Sequence, residues 1–271
     1  MRLALLQMTA RAGDVPANLA RIDDAMRAAA ARGADLLLAP ELALSGYGAG
    51  AAIADLADPP GGPQRAALAR MAREHGLAIV AGLAEAAEGA IWNSAYFTDG
   101  AADAIYRKSH LYGAYETALF RPGPPAAVTF AHAGLTCGML ICYDVEFPEN
   151  VRRLAQAGAD LVLVPTALPA APFTQFIARR IIPVRAFENQ VFVAYANHGG
   201  ADERFTYQGM SCVAAPDGSI LAEAGGPDAH EAGAGAGTGA GAQDALLIVD
   251  IDPAAYGASR ADNAYLRDLR V

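Results

Sequence analysis

Short, nearly uninterrupted apolar runs that stop at a polar residue recur along this chain, and they restrict its fold more than any other feature. Residues 3–8, 35–39, 77–83, 135–141, 161–165 and 191–195 are each five to seven residues long. That is too short for most helices and right for buried strands. Amphipathic helical patterns separate them at 16–32, 64–75, 149–157 and 173–187. Residues 91–98 and 104–107 flank Asp99-Gly100, a hairpin signal. Residues 128–130, 210–214 and 246–251 also read as strands. Strands, helices and hairpins in this order predict an α/β protein with mixed sheets covered by helices, rather than a pure βαβ repeat.

The chain has 271 residues, 54% of them hydrophobic and 18% charged, so a large core can form and global disorder is excluded. A single domain over 1–271 is expected, with no internal repeat. The stretch 225–243, with its Ala-Gly-Ala-Gly-Ala-Gly core, has too little side chain to build a core. It reads as a mobile surface loop between two strands rather than a domain boundary.

Net charge is −9 and no Lys/Arg run tracks phosphates, so nucleic acid and anionic membrane are not expected as partners. No stretch approaches the ~20 apolar residues of a membrane span. The first apolar run turns polar too soon for a signal-peptide core. Cys137, Cys142 and Cys212 are an odd, low number that fits a reducing compartment. Together these features predict a cytoplasmic protein. The five histidines form no C-x-x-C or H-x-x-x-H pattern, so no metal site is expected.

Cys142 ends an apolar run, Gly138-Met139-Leu140-Ile141, and precedes Tyr143-Asp144 and a helical segment. A thiol there can open onto a cleft, where backbone N–H groups favour a thiolate; the competing reading is a buried core cysteine. Cys137 and Cys212 lie inside strand-like runs and are assigned to packing. A nucleophilic thiol needs a base or a cationic neighbour. His110 and His198 are the candidate histidines, and neither has a cysteine-protease context. A carboxylate with a lysine is the alternative. Glu41 follows Leu36-Leu37-Leu38-Ala39-Pro40, and Lys108 follows Ala104-Ile105-Tyr106-Arg107. Each alone reads as a solvated charge at the rim of a sheet.

Pro40-Glu41-Leu42 with Ser45-Gly46-Tyr47, then Tyr106-Arg107-Lys108-Ser109-His110-Leu111, then Cys142-Tyr143-Asp144 with Phe147-Pro148-Glu149 together resemble the nitrilase superfamily of carbon–nitrogen hydrolases. Pro165-Thr166, Arg185-Ala186-Phe187-Glu188-Asn189 and Tyr195-Ala196-Asn197 extend the match from the first strand to the last. The resemblance implies a four-layer αββα sandwich, a homodimer or higher homo-oligomer, no cofactor, and a Glu41–Lys108–Cys142 triad. It adds a second glutamate eight positions after the lysine, Glu116, which alone would read as a loop carboxylate.

In that frame Glu41 takes the thiol proton, and Lys108 with the Tyr143 N–H holds the oxyanion. Glu116 orients Lys108 or the substrate amide. Tyr47, Glu146 and Asn197 are expected at the substrate. Tyr143-Asp144, where true nitrilases carry Trp-Glu, looks like the amidase branches, and the tract 141–150 with Arg152-Arg153-Leu154-Ala155 most resembles aliphatic amidases such as 5-aminopentanamidase. The expected reaction is hydrolysis of a small aliphatic carboxamide. The alternatives are an N-carbamoyl amine amidohydrolase, a nitrilase, and a non-catalytic scaffold. Glu146 reads first as a helix-start charge. In a second reading Glu146, or the Asp202-Glu203 pair, favours an amine-bearing substrate.

Overall fold

The computed structural model describes residues 1–226 and 244–270. The Gly/Ala-rich stretch at 225–243 therefore lies outside the described residues, apart from Gly225 and Gly226. The described strands are β1 (Arg2–Gln7), β2 (Leu36–Leu38), β3 (Ala78–Ala87), β4 (Ala90–Thr98), β5 (Asp103–Arg107), β6 (Thr129–His132), β7 (Leu135–Met139), β8 (Leu161–Thr166), β9 (Phe192–Asn197), β10 (Cys212–Ala214), β11 (Ile220–Glu223) and β12 (Ala245–Asp250). They form two mixed six-stranded sheets, ordered β12-β1-β2-β3-β4-β5 and β11-β10-β9-β8-β7-β6.

The sheets pack face to face, β1 against β9 and β2 and β3 against β8. Helices α1 (Val15–Ala30), α2 (Ile53–Leu56) and α3 (Pro63–His75) precede β3, and α4 (Gly113–Leu119) follows β5. Helices α5 (Pro148–Gln156), α6 (Thr174–Phe176) and α7 (Ile182–Asn189) belong to the second half. The result is the expected αββα sandwich. Because strand side chains alternate, a strand in the middle of four layers must be apolar on both faces. Leu36 and Leu38 join the core between the sheets, whereas Leu37 joins Ile22, Met26, Leu68 and Met71 beneath α1 and α3. The unbroken Leu36-Leu37-Leu38 run is the sequence signature of that double burial.

The helix expected over 173–187 is divided. Residues Thr174–Phe176 and α7 are joined by a π-helical turn at Ile177–Ile181. Pro183 has no N–H to give and its ring clashes with the carbonyl four residues back, which favours the wider turn. Strand β11 and helix α4 are among the elements that lack a sequence signal. Strand β11 is largely exposed at an edge and shows no apolar alternation. Helix α4 has no capping side chain at Tyr112, so nothing local marks its start.

Strands β1, β2, β3 and β5 run in one direction within their sheet, as do β7, β8 and β9 within theirs. A parallel bridge between Met8 and His198 aligns the ends of β1 and β9 across the two sheets. The carboxyl ends of strands from both sheets therefore open on the same side, where α/β folds place their chemistry.

Candidate active site

Glu41, Lys108 and Cys142 each lie just past one of these strand ends. Glu41 follows β2, Lys108 directly follows β5, and Cys142 follows β7 and opens a 3₁₀ turn, Cys142–Glu146. The loop carrying Glu41 passes tightly over β3. A Cβ on Gly82 would lie 2.3 Å from Leu42 N and 2.5 Å from Glu41 Cα, so only glycine fits. Leu42 and Cys142 adopt φ of +48° and +44°, a region that costs a side-chain-bearing residue roughly 1–2 kcal/mol. Such strain persists where surrounding structure fixes it, commonly at functional sites.

Lys108 Nζ donates to Glu41 Oε1 and to Glu116 Oε1, both at 2.7 Å, with all three side chains essentially sealed from solvent. Glu116 comes from α4. Its Oε1 also accepts the Tyr47 hydroxyl at 2.9 Å, and its Oε2 accepts the Tyr112 N–H at 2.8 Å. Asn93 Nδ2 donates to Glu41 Oε1 at 2.7 Å. Both donors thus converge on one oxygen, and Glu41 Oε2, fully buried, has no hydrogen-bond partner among the described residues. An ammonium carries three N–H donors. Two of them point at carboxylates here, which leaves one.

Burial works against the charge on Lys108, but Glu116, Glu41 and Cys142 outweigh it and hold the ammonium well above its ordinary value. Burial raises Glu116, with Lys108 pulling back and Glu41 pushing further up. Cys142 is pushed well above an ordinary thiol by burial and by Glu41; Lys108 and the Ala167 N–H oppose the shift without reversing it. This corrects the expectation that the helix start would favour a thiolate. A five-residue 3₁₀ turn offers little dipole, and two buried carboxylates stand nearby. These surroundings favour the thiol over the thiolate, and a nucleophilic role for it would call for a base.

A shell of contacts fixes these groups. Asp144, fully buried, accepts Tyr106 OH at 2.9 Å, Ser109 Oγ at 2.8 Å and His110 N at 2.8 Å, tying the cysteine turn to the segment after Lys108. Arg185 donates to the carbonyls of Val145 and Glu146 at 2.9 and 2.5 Å. On the strand before Lys108, Arg107 forms a two-pronged pair with buried Glu85, both contacts at 2.9 Å, and stacks on Trp92.

Of the other expected residues, Tyr143 is half-buried, and its N–H lies in the first turn, where helical donors have no intrahelical partner. Tyr47 bonds Glu116. Glu146 is half-buried and forms no ion pair or side-chain hydrogen bond among the described residues; burial pushes it up to about 6, against the pull of Lys108 and Arg185. Asn197 lies apart in role: its amide accepts Leu168 N–H and donates to Gly209 O, both at 2.8 Å, which fills it with backbone partners. Asp202 is similarly engaged by Tyr207 OH and the N–H groups of Arg204 and Phe205. His110 pairs with Asp144, and His198 faces two backbone carbonyls.

Residues 2–261 match the carbon–nitrogen hydrolase family model. The chain is 42% identical, over its whole length and 89% of the relative's, to a hydrolase from the pqqF 5′ region of Pseudomonas protegens. It is 35% identical to an (R)-stereoselective amidase from Pseudomonas sp., covering all of this chain and 92% of that one. Among solved structures, the amidase from Nesterenkonia sp. AN1 aligns with a TM-score of 0.84 at 36% identity, covering 100% of this chain and 96% of its own. A variant of that amidase, aligned equally well, carries acrylamide joined by Michael addition at the active-site cysteine.

Proposed function

The chain belongs to the carbon–nitrogen hydrolase family, and from that premise we propose that it hydrolyses a small aliphatic carboxamide to a carboxylic acid and ammonia through a thioester on Cys142. The observation that carries this reading is the asymmetry of Glu41. One carboxylate oxygen is pinned by Lys108 and Asn93, and the other is buried and unpartnered. That is the form a general base takes when a proton has yet to arrive.

As the Cys142 sulfur bonds to the amide carbon, its proton moves to Glu41 Oε2. The carbonyl oxygen takes up the negative charge, facing the third N–H of Lys108 and the N–H of Tyr143. Each such preorganised donor typically lowers the barrier by about 3–4 kcal/mol. Glu41 then passes its proton to the amide nitrogen, the C–N bond breaks, and ammonia leaves a thioester behind. Water attacks the thioester as Glu41 takes one of its protons. Collapse releases the carboxylic acid, and the departing sulfur recovers the proton from Glu41. Glu116 holds Lys108 in place through its three contacts.

This reading needs one domain spanning both sheets, since Glu41 and Lys108 come from the first and Cys142 from the second. Glu146, four positions past the nucleophile and unpaired, is the residue we assign to the distal end of the substrate, where it favours an amine over a carboxylate. Phe173, Phe176 and Val184 are about half exposed on neighbouring turns, and a second copy covering them gives a homodimer. The three cysteines are all unpaired and buried, which fits a cytoplasmic enzyme.

The test is ammonia release from a panel of aliphatic amides, paired with intact-mass detection of an acyl adduct. Cys142→Ala should lose both signals while its melting behaviour stays close to that of the parent. Retained turnover in that variant overturns the nucleophile assignment, and stoichiometric carbon dioxide from carbamoyl substrates would favour a carbamoylase.

A further inference from the structure

His198 follows β9 of the second sheet, yet both of its ring nitrogens meet the first sheet. Nδ1 lies 2.9 Å from the carbonyl oxygen of Met8, at the end of β1, and Nε2 lies 2.7 Å from the carbonyl oxygen of Glu41. The ring is 1% exposed and is covered by Tyr207, whose ring centroid lies 4.9 Å away. At that burial the ring is out of contact with bulk solvent.

A neutral imidazole has one N–H and one lone pair, so it can donate to only one of these carbonyls. The carbonyls differ in their other partners. Met8 O also accepts the Gly199 N–H at 3.2 Å. Glu41 O has no other donor among the described residues. A buried carbonyl without a donor costs about 1–3 kcal/mol, so the single hydrogen belongs on Nε2, where the contact is also shorter. Burial holds the ring below its ordinary value, against the two carbonyls and Asp202 and with Arg21, and the ring is therefore neutral at pH 7.

We propose that His198 is the positioning residue for the general base: its Nε2–H holds the Glu41 main chain, and through it sets where the free Glu41 oxygen meets the Cys142 thiol. Gly82 packs beneath the Glu41 main chain, but hydrogen bonds hold that main chain weakly elsewhere. The Glu41 N–H reaches Thr166 O at only 3.4 Å, and the next residue sits in a strained conformation. The Lys108 and Asn93 contacts grip the tip of the side chain, and His198 grips its root. Both grips are needed to fix a carboxylate whose working oxygen has no hydrogen-bond partner among the described residues. The inference rests on Glu41 acting as the base for Cys142.

Two substitutions separate this role from a general joint between the sheets. Asn puts an amide nitrogen near the place of Nδ1, so His198→Asn offers an N–H to Met8 O and none to Glu41 O. Gln reaches the place of Nε2, so His198→Gln keeps a donor on Glu41 O and leaves Met8 O to the Gly199 N–H, as in the parent. The rate of Cys142 alkylation by iodoacetamide reports thiol deprotonation whether or not any amide is turned over. We expect His198→Asn to slow alkylation and kcat by roughly a hundredfold with KM little changed, and His198→Gln to stay within about threefold of the parent. Equal losses in the two variants, or an unimpaired His198→Asn, overturn the assignment. In the unmodified protein, ¹⁵N NMR of the buried histidine should show hydrogen on Nε2 and not on Nδ1; the opposite tautomer overturns it independently of how either variant folds. A parent enzyme that hydrolyses no amide but keeps this alkylation order would defeat the amidase reading alone.

Discussion

Gly82 lies directly beneath Glu41, so close that a Cβ on Gly82 would stand 2.5 Å from the Glu41 Cα. Main-chain atoms cannot rotate aside as a side chain can. Gly82→Ala should therefore push the Glu41 loop off β3. A displacement near 1 Å in a catalytic group typically costs about a hundredfold in rate, so kcat/KM for an aliphatic amide should fall by about that factor with circular dichroism unchanged. Full activity in Gly82→Ala would mean the loop is more yielding than its contacts indicate.

Cys142 combines chemistry with backbone strain, and the two separate by substitution. Both Cys142→Ala and Cys142→Gly should be inactive. Glycine tolerates φ of +44° and alanine does not, so Cys142→Gly should be the more stable of the two by roughly 1–2 kcal/mol. Denaturant titration of the pair reads this directly, and an alanine variant equal to or firmer than the glycine one would refute it.

Lys108→Met leaves Glu41 and Glu116 buried against each other with no cation between them. Removing one partner of a buried ion pair costs about 3–5 kcal/mol, and here the carboxyls can lessen the cost by holding a proton. Their folded-state pKa then rises above the unfolded value, so the stability they permit is present at low pH and is lost as pH rises through the folded value. The variant should melt higher at pH 5 than at pH 8. A melting temperature independent of pH in that range would argue against a shared cation.

Glu146 supplies the same sign in the parent protein. Its folded value is pushed up to about 6, against about 4.3 for a free glutamate. Its favourable contribution is complete below about pH 4.3 and disappears as pH climbs past 6. Glu146→Gln should therefore gain on the parent between pH 4 and pH 8, by about 1 kcal/mol once solvent screening of this partly exposed carboxyl is allowed for. The same change should narrow any preference for 5-aminopentanamide over a dicarboxylic monoamide, measured as kcat/KM above pH 7. An unchanged ratio would remove Glu146 from substrate selection.

The layered fold was legible because strands buried on both faces must be continuously apolar, as Leu36-Leu37-Leu38 are, and because the breaks between such runs carry the polar residues. Three of those breaks hold Glu41, Lys108 and Cys142, which is why ordered motifs sufficed to nominate them. Glu116 came with the motif frame, although its helix has no capping signal. Other parts of the site left only faint traces. Gly82 and Asn93 sit inside strands that disfavour both residue types, and each explains itself only once Glu41 is seen beside it. His198 gave no local clue at all, since its partner lies 157 residues earlier in the chain. The thiolate expectation failed for a related reason. The turn at Cys142 was read from its own neighbours, and the carboxylates that overrule it arrive from the other sheet.

That division of labour makes catalysis a gauge of interlayer registry. In the proposed mechanism the base and the ammonium ride on one slab and the sulfur on the other, so a shear of an ångström between slabs should silence turnover while every strand keeps its own hydrogen bonds. In mild urea, loss of activity should run ahead of loss of ellipticity, and the interval between the two curves measures how far the halves can slip before they part.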